Sequence, residues 1–445
     1  MTENMMDREV NRKVTGLFLN VTSMIFIFIL YTSLLPYNVT GNLGDVSFAS
    51  FVDTLRISAI SAQQGTWIAH AIFNLLLTFV ASIYCQQTSK KIMWIFMYGA
   101  IIIFGVLIEY FQMFIGSRGT SLVDIYANIA GMGFGFIAWA LFGKFTVRVV
   151  KDFIQHGTLS IGSVKKIYLA FVIAIILFPF DFFINMLQLQ IAFASKGMPL
   201  FENNSAQGIG TISLVAAMLL LFPLGVIYKM VPTRRKSRDI SLVFKFTFLL
   251  LFLEILQFFE ISGQSSFPSY FAKLIGFCAG LYIGRFLSLK FLLDTLLRMR
   301  LLILLVTPVF LWVAFKIKGG VFTFSSSLDD IMAVIGNTSF LPFKYYINVG
   351  SGEALLSFLL NFVIFIPIGG VVAVYYISKE IEQRRSFSSL VKLGLLCAIL
   401  LELAVLVWGL ERPDITNIIV SGFALPLGYY FVLMAQNAVN MKSVD

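Results

Sequence analysis

The chain has 445 residues, 58% of them hydrophobic, 15% aromatic and only 13% charged, with 47 Phe and a mean hydropathy of +0.88. That composition excludes the string of soluble domains a chain of this length would otherwise form and marks an integral membrane protein. The net charge of +10 does not point to nucleic acid, because the Lys and Arg residues sit in short loops between apolar runs, where membrane orientation puts them.

The polar head carries Arg8, Arg12 and Lys13 just before the first apolar run. That run is too long for a signal peptide and shows no small-residue cleavage site, so it predicts an uncleaved first helix. Further runs predict spans at about 67–86, 92–115, 121–143, 166–186, 209–230, 241–261, 267–287, 299–316, 354–377, 391–410 and 415–436. With the first, at about 15–35, the expectation is twelve transmembrane helices in an all-α, polytopic fold. Clusters such as Lys90–Lys91, Lys144–Arg148–Lys151, Arg234–Arg235–Lys236 and Arg384–Arg385 fall in alternate loops, on the side of the N-terminus. The positive-inside rule then places both termini in the cytoplasm of a multi-pass cell-membrane protein.

Polar residues inside the runs recur at fixed intervals. Glu109-x-x-Gln112 is followed by Arg118, Asp124, Asn128, Gly131 and Gly135. Glu254-x-x-Gln257 is followed by Gly276 and Gly280, at the same 22- and 26-residue intervals from the glutamate. Glu402 is followed by Arg412, Asp414, Asn417, Gly422 and Gly428, the last again 26 residues on. The preceding helices align as Asn74 to Val80, Ala217 to Pro223 and Asn361 to Pro367, with Pro223-x-Gly225 and Pro367-x-Gly369 matching each other. Such periodicity predicts three four-helix repeats, at 1–160, 161–295 and 296–445. Short mixed segments at 47–56, 187–193 and 328–335 are expected to lie in the membrane interface. The loop at about 317–353 is long enough to suggest a functional role.

Leu341-Pro342-Phe343, then Asn361-x5-Pro367-x-Gly369, then the Glu-x-x-Gln, Arg, Asp and Asn-x-x-Gly series resembles the VanZ-like family of bacterial membrane proteins. The first and third units carry the resemblance best. Ser121 stands where the family commonly has an acid, the third unit has Val405 for the glutamine, and the middle unit lacks the arginine and aspartate. The resemblance implies a bacterial envelope protein associated with resistance to teicoplanin-type glycopeptides.

Polar groups at membrane depth cost a few kcal/mol each, about 2.5–3.5 on insertion scales, so they have partners or a task. Glu109 and Gln112 share a helix face, Arg118 falls in the following turn and Asp124 opens the next helix. The set is either a salt-bridged clamp on that turn or an outward polar pocket, in which the arginine grips a phosphate or carboxylate. Glu402, Arg412, Asp414 and Asn417 pose the same choice. The expected ligand-binding residues are therefore Glu109, Gln112, Arg118, Asp124, Asn128, Glu402, Arg412, Asp414 and Asn417. Lys273 is expected to pair with Glu254, and His70 to be a hydrogen-bonded interfacial residue rather than a base.

Gly131, Gly135, Gly276 and Gly280 are expected to let helices approach closely, and Pro223, Gly225, Pro367 and Gly369 to shape the second helices. No phosphate-binding loop, zinc helix or nucleophile elbow is present, and Cys85, Cys278 and Cys397 form neither a disulfide framework nor a metal spacing. The expectation is thus no catalytic residue, no metal and no cofactor. Its partners are the lipid bilayer and a lipid-linked cell-wall precursor or amphiphilic glycopeptide, engaged without enzymatic turnover. A lipid flippase, an enzyme acting on an isoprenoid-linked substrate and an envelope scaffold are the rival readings.

Overall fold

The computed structural model describes residues 2–34, 48–58, 64–88, 90–115, 120–156, 159–177, 182, 190, 193–194, 197–198, 201–202, 211–230, 238–260, 263, 265–287, 289–299, 328–336, 341–343, 351–379, 386–409 and 413–441. Arg118, Arg412, most of the 187–193 segment, the 299–316 span after Met299 and much of the long loop before 353 lie outside them. Apart from two two-residue strands, Gly197–Met198 and Phe201–Glu202, the regular structure is helical.

The helices are α1 (Thr2–Leu34), α2 (Phe48–Ser58), α3 (Gln64–Thr88), α4 (Lys91–Gln112), α5 (Leu122–His156), α6 (Ile161–Ile176), α7 (Thr211–Met230) and α8 (Arg238–Phe258), followed by α9 (Phe267–Ile283), α10 (Leu289–Arg298), α11 (Leu328–Gly336), α12 (Ser351–Ser378), α13 (Phe387–Gly409) and α14 (Ile415–Met441). Among the described residues six helices are long and apolar enough to cross a membrane: the Arg8–Leu34, His70–Thr88, Lys91–Gln112, Leu122–Gln155, Phe387–Val407 and Ile415–Gln436 stretches. Leu214–Lys229, Phe267–Ile283 and Ile364–Ser378 are shorter apolar helices.

Two helices run well beyond their apolar runs. The first begins at Thr2 rather than near residue 15, because its polar head is a good helix former and a Glu9–Lys13 ion pair of 2.7 Å closes one turn along its exposed face. The fifth continues past the apolar run to His156, as a 35-residue helix, since nothing in Lys144–Gln155 breaks it: that stretch holds neither Gly nor Pro.

The chain divides into two compact units. One holds Met1–Leu159 with Phe180–Met198 and Leu256–Gln264; the other holds Ser160–Pro179, Pro199–Ile255 and Ser265–Asp445. In the first, α3 packs along α5, with α1 and α4 beside them. Its interior is Ile29, Leu77, Ala81, Ile101, Phe104 and Ile108, with a second cluster of Val10, Val14, Phe18, Ile83 and Val147. In the second unit α7 packs on α9, and α12 and α13 pack on α14 around Phe365, Leu390, Ala398, Leu425 and Tyr429. Large apolar side chains also point outward, among them Ile95, Phe96, Ile103, Phe134 and Leu141, a surface suited to hydrocarbon rather than water.

Glycine sets how closely the paired helices approach. A Cβ on Gly131 or Gly135 would strike the carbonyls of Ala71 or Leu75. One on Gly276 or Gly280 would strike those of Met218 or Phe222, and one on Gly428 that of Ile366. The four-residue steps on both sides of the first two seams show that α3 runs parallel to α5, and α7 to α9. Small residues at this spacing are how helices gain packing energy where lipid removes the hydrophobic drive between them.

These contacts set a register that differs from the sequence alignment. Leu75, Phe222 and Ile366 each meet the glycine 26 residues after the unit's glutamate. Asn74 is therefore level with Leu221 and Phe365, and His70 with Ala217 and Asn361. The first unit is displaced by one helical turn from the asparagine-to-asparagine match.

Candidate functional site

Glu109 and Glu254 lie in or next to the last turn of their helices, where the helix dipole disfavours a carboxylate, Glu402 sits further inside its helix, and all three are buried. Each takes a backbone N–H from the residue 12 positions on, which opens the next helix. Ser121 donates to Glu109 at 3.0 Å, Ser266 to Glu254 at 3.2 Å and Asp414 to Glu402 at 3.3 Å. The donor residues use their own side chains as helix caps. The Ser121 hydroxyl accepts from the Val123 N–H, the Ser266 hydroxyl from that of Ser269, and the Asp414 carboxylate from that of Thr416 at 2.8 Å. A capping side chain of this kind stabilises a helix start by about 0.5–2 kcal/mol.

This geometry separates residues that sequence spacing had equated. Asp414 stands at the capping position of Ser121 and Ser266, so its counterpart is not Asp124. The residue level with Asp124 is Asn417 in the third unit and Ser269 in the middle one.

The surroundings of the three acids differ. Around Glu109, donor atoms of His70 on α3 and Asp124 in the first turn of α5 converge, all within 4.8 Å of one another. Glu109 and Asp124 are only 0% and 5% exposed. Around Glu254 the place is filled by Lys273, whose ammonium sits 2.6 Å from the carboxylate, with both side chains buried. In the third unit the residues level with His70 and Asp124 are Asn361 and Asn417, which hydrogen bond to each other at 2.8 Å.

Among the described residues, the expected Gln112, Asn128 and Asn417 have structural partners. Gln112 donates to the backbone carbonyl of Ser33 at 3.1 Å, tying α4 to the end of α1. Asn128 accepts from Asn74 at 2.6 Å, and Asn74 also donates to the His70 carbonyl. Ser421 adds a bond to Asn361. In the third unit the Leu341-Pro342-Phe343 turn is held at the same level, the Phe343 N–H donating to the Thr416 hydroxyl at 2.7 Å. Phe343 has a φ of 63°, a left-handed conformation costly for a bulky residue and retained only where its surroundings fix it.

Away from these sites, Asp239 at the start of α8 takes both Lys229 and Arg285. The Lys229 hydrogen bond, with both nearby positive charges, holds its carboxyl below the usual range.

His70, Asn74, Asn361 and Thr416 were absent from the expected binding set. The sequence marked His70 as an interfacial residue and the asparagines as matched positions on the second helices, whereas Thr416 carried no signal. Comparison of the chain with protein-family models, curated proteins and solved structures gave no match.

Proposed function

We propose that the chain is a multi-pass protein of a bacterial cell membrane, built from three tandem VanZ-like four-helix units with both termini cytoplasmic. Its first unit binds the polar head of an amphiphilic envelope ligand, a lipid-linked cell-wall precursor or a glycopeptide, without turning it over. One observation carries this reading: an acid, a second acid and an imidazole from three helices converge around Glu109, whereas the matching place at Glu254 is closed by Lys273. A site built only to pin a helix turn needs no more than the middle unit has. The VanZ-like resemblance supports the envelope setting and the link to glycopeptide susceptibility.

Passage of a ligand across the bilayer is the less favoured reading. The space beside Asn128 is walled by Ile101, Ile102, Val106, Ile129 and Met132, which offer no polar route deeper into the membrane.

The test is binding of a lipid-linked disaccharide-peptide precursor, and of teicoplanin, to the purified chain in nanodiscs. Glu109→Gln with Asp124→Asn is expected to weaken binding at least tenfold, a loss of about 1.4 kcal/mol. Glu402→Gln should leave it within twofold. Equal binding by wild type and the double variant would end the proposal.

A further inference from the structure

We propose that His70, Glu109 and Asp124 form a binding site for one divalent transition cation of the zinc or manganese class. The three side chains come from α3, α4 and α5, and one ligand atom from each lies within 4.8 Å of the others. Ligands bonded to one ion at about 2.0–2.2 Å sit roughly 3–3.5 Å apart, so side-chain rotation closes the trio around an ion without moving a helix. One imidazole with two carboxylates selects for Mn, Fe or Zn; magnesium and calcium sites use oxygen donors alone.

Burial argues the same way. Two carboxylates placed this close repel each other, and burial deepens the cost of the pair; a divalent ion offsets both charges at once. The middle unit answers a single buried acid with one fixed positive charge, Lys273. The residue level with that lysine in the first unit is Asn128, already engaged with Asn74. Where the middle unit has that lysine, the first unit has a second acid and an imidazole, side chains of the kinds that ligate a metal.

A separate observation concerns Thr120. Thr120 is 4% exposed, directly precedes the Ser121 amide that holds Glu109, and its hydroxyl has no hydrogen-bond partner among the described residues. A water completing the ion's coordination shell would supply one. Three protein ligands leave such positions open, and a phosphate oxygen of the ligand proposed above could take the same place. Metal retention is measured with no organic ligand present, so this inference and the ligand reading fail separately.

The full chain is purified in detergent, stripped with a chelator, dialysed against Zn²⁺ or Mn²⁺ and assayed for bound metal by mass spectrometry. About one ion per chain is expected, as for a single three-ligand site. His70→Ala, Glu109→Gln and Asp124→Asn should each weaken retention by ~100-fold or more, beyond the usual loss from removing a supporting hydrogen bond. Glu254→Gln and Glu402→Gln should retain the ion. Chelation should lower the unfolding temperature of wild type and leave that of the isosteric Asp124→Asn variant unchanged. The inference is overturned if folded wild type, with its helical circular dichroism intact, takes up less than about a tenth of an ion per chain. It is also overturned if Glu402→Gln loses metal as fully as the trio variants.

Discussion

Three glutamates each accept a backbone N–H from the residue 12 positions on and have three different neighbourhoods, and the difference lies in single residues. Lys273 decides the middle one. Removing it strands Glu254 in a place where both side chains are nearly inaccessible. A buried carboxylate left without its partner costs about 3–5 kcal/mol. Lys273→Met is therefore expected to lower the unfolding temperature sharply in detergent, and Lys273→Met with Glu254→Leu to recover most of the loss, since an apolar replacement of both partners is often close to neutral. Recovery absent in the double variant would mean that Glu254 is needed for its bond to the Ser266 amide rather than for the ion pair. At this scale the sequence was informative about acids and weak about their companions. A glutamate in an apolar run is conspicuous. Whether Asp414 caps its own helix or faces a ligand depends on two or three residues of chain geometry, and Arg-to-Asp spacing does not carry that.

Among the helices, the glycine seams set register. Gly131→Ala, Gly276→Ala and Gly428→Ala each put a methyl group against a partner backbone carbonyl that has no rotamer by which to yield. Each is expected to destabilise by about 1–3 kcal/mol, the usual range for overpacking. Gly133→Ala, with nothing within 4 Å of its added Cβ, should be neutral or slightly stabilising through helix propensity. Thermal unfolding of the four variants in one detergent checks the contrast, and a loss at Gly133 as large as at Gly131 would contradict it. The seams were legible because glycines 22 and 26 residues after a glutamate repeat. The register of the partner helix was not. A slip of four residues is about one turn and keeps the same face inward, so Asn74 and Asn361 look equivalent on paper while lying one turn apart. Helix ends were also misjudged where polar stretches, as in α1 and α5, remain good helix formers outside the apolar run. Pro426 inside α14 gave no repeat signal, since neither of the other units has a proline at that place.

For the molecule as a whole, the proposed orientation with both termini in the cytoplasm rests on the distribution of basic residues in the sequence. Lys229, Asp239 and Arg285 meet where α7 ends, α8 begins and α9 ends. In the proposed orientation this cluster lies on the cytoplasmic side. A green fluorescent protein fused after Asp445 should therefore fluoresce in cells, and an alkaline phosphatase fused there should be inactive. The reverse pattern would invert the proposed topology and move the His70 site to the cytoplasmic face. Membrane character was legible from composition alone, because no soluble fold tolerates so many large outward-facing apolar residues. The site was legible only in part, because convergence of α3, α4 and α5 on one point is a property of packing and not of any one segment.

The meshing of α3 with α5 through Gly131 and Gly135 has a mechanical result. Two rods toothed at every fourth residue cannot creep past one another by a fraction of a turn, because each tooth rides up on a carbonyl. They shift by a whole notch or stay put. The same ratchet accounts for the paired asparagines, which moved together by four positions between the first and third units and kept their bond. Inserting a single alanine into α3 between His70 and Leu75 would leave the trio and the seam out of phase, so that only one of them could close.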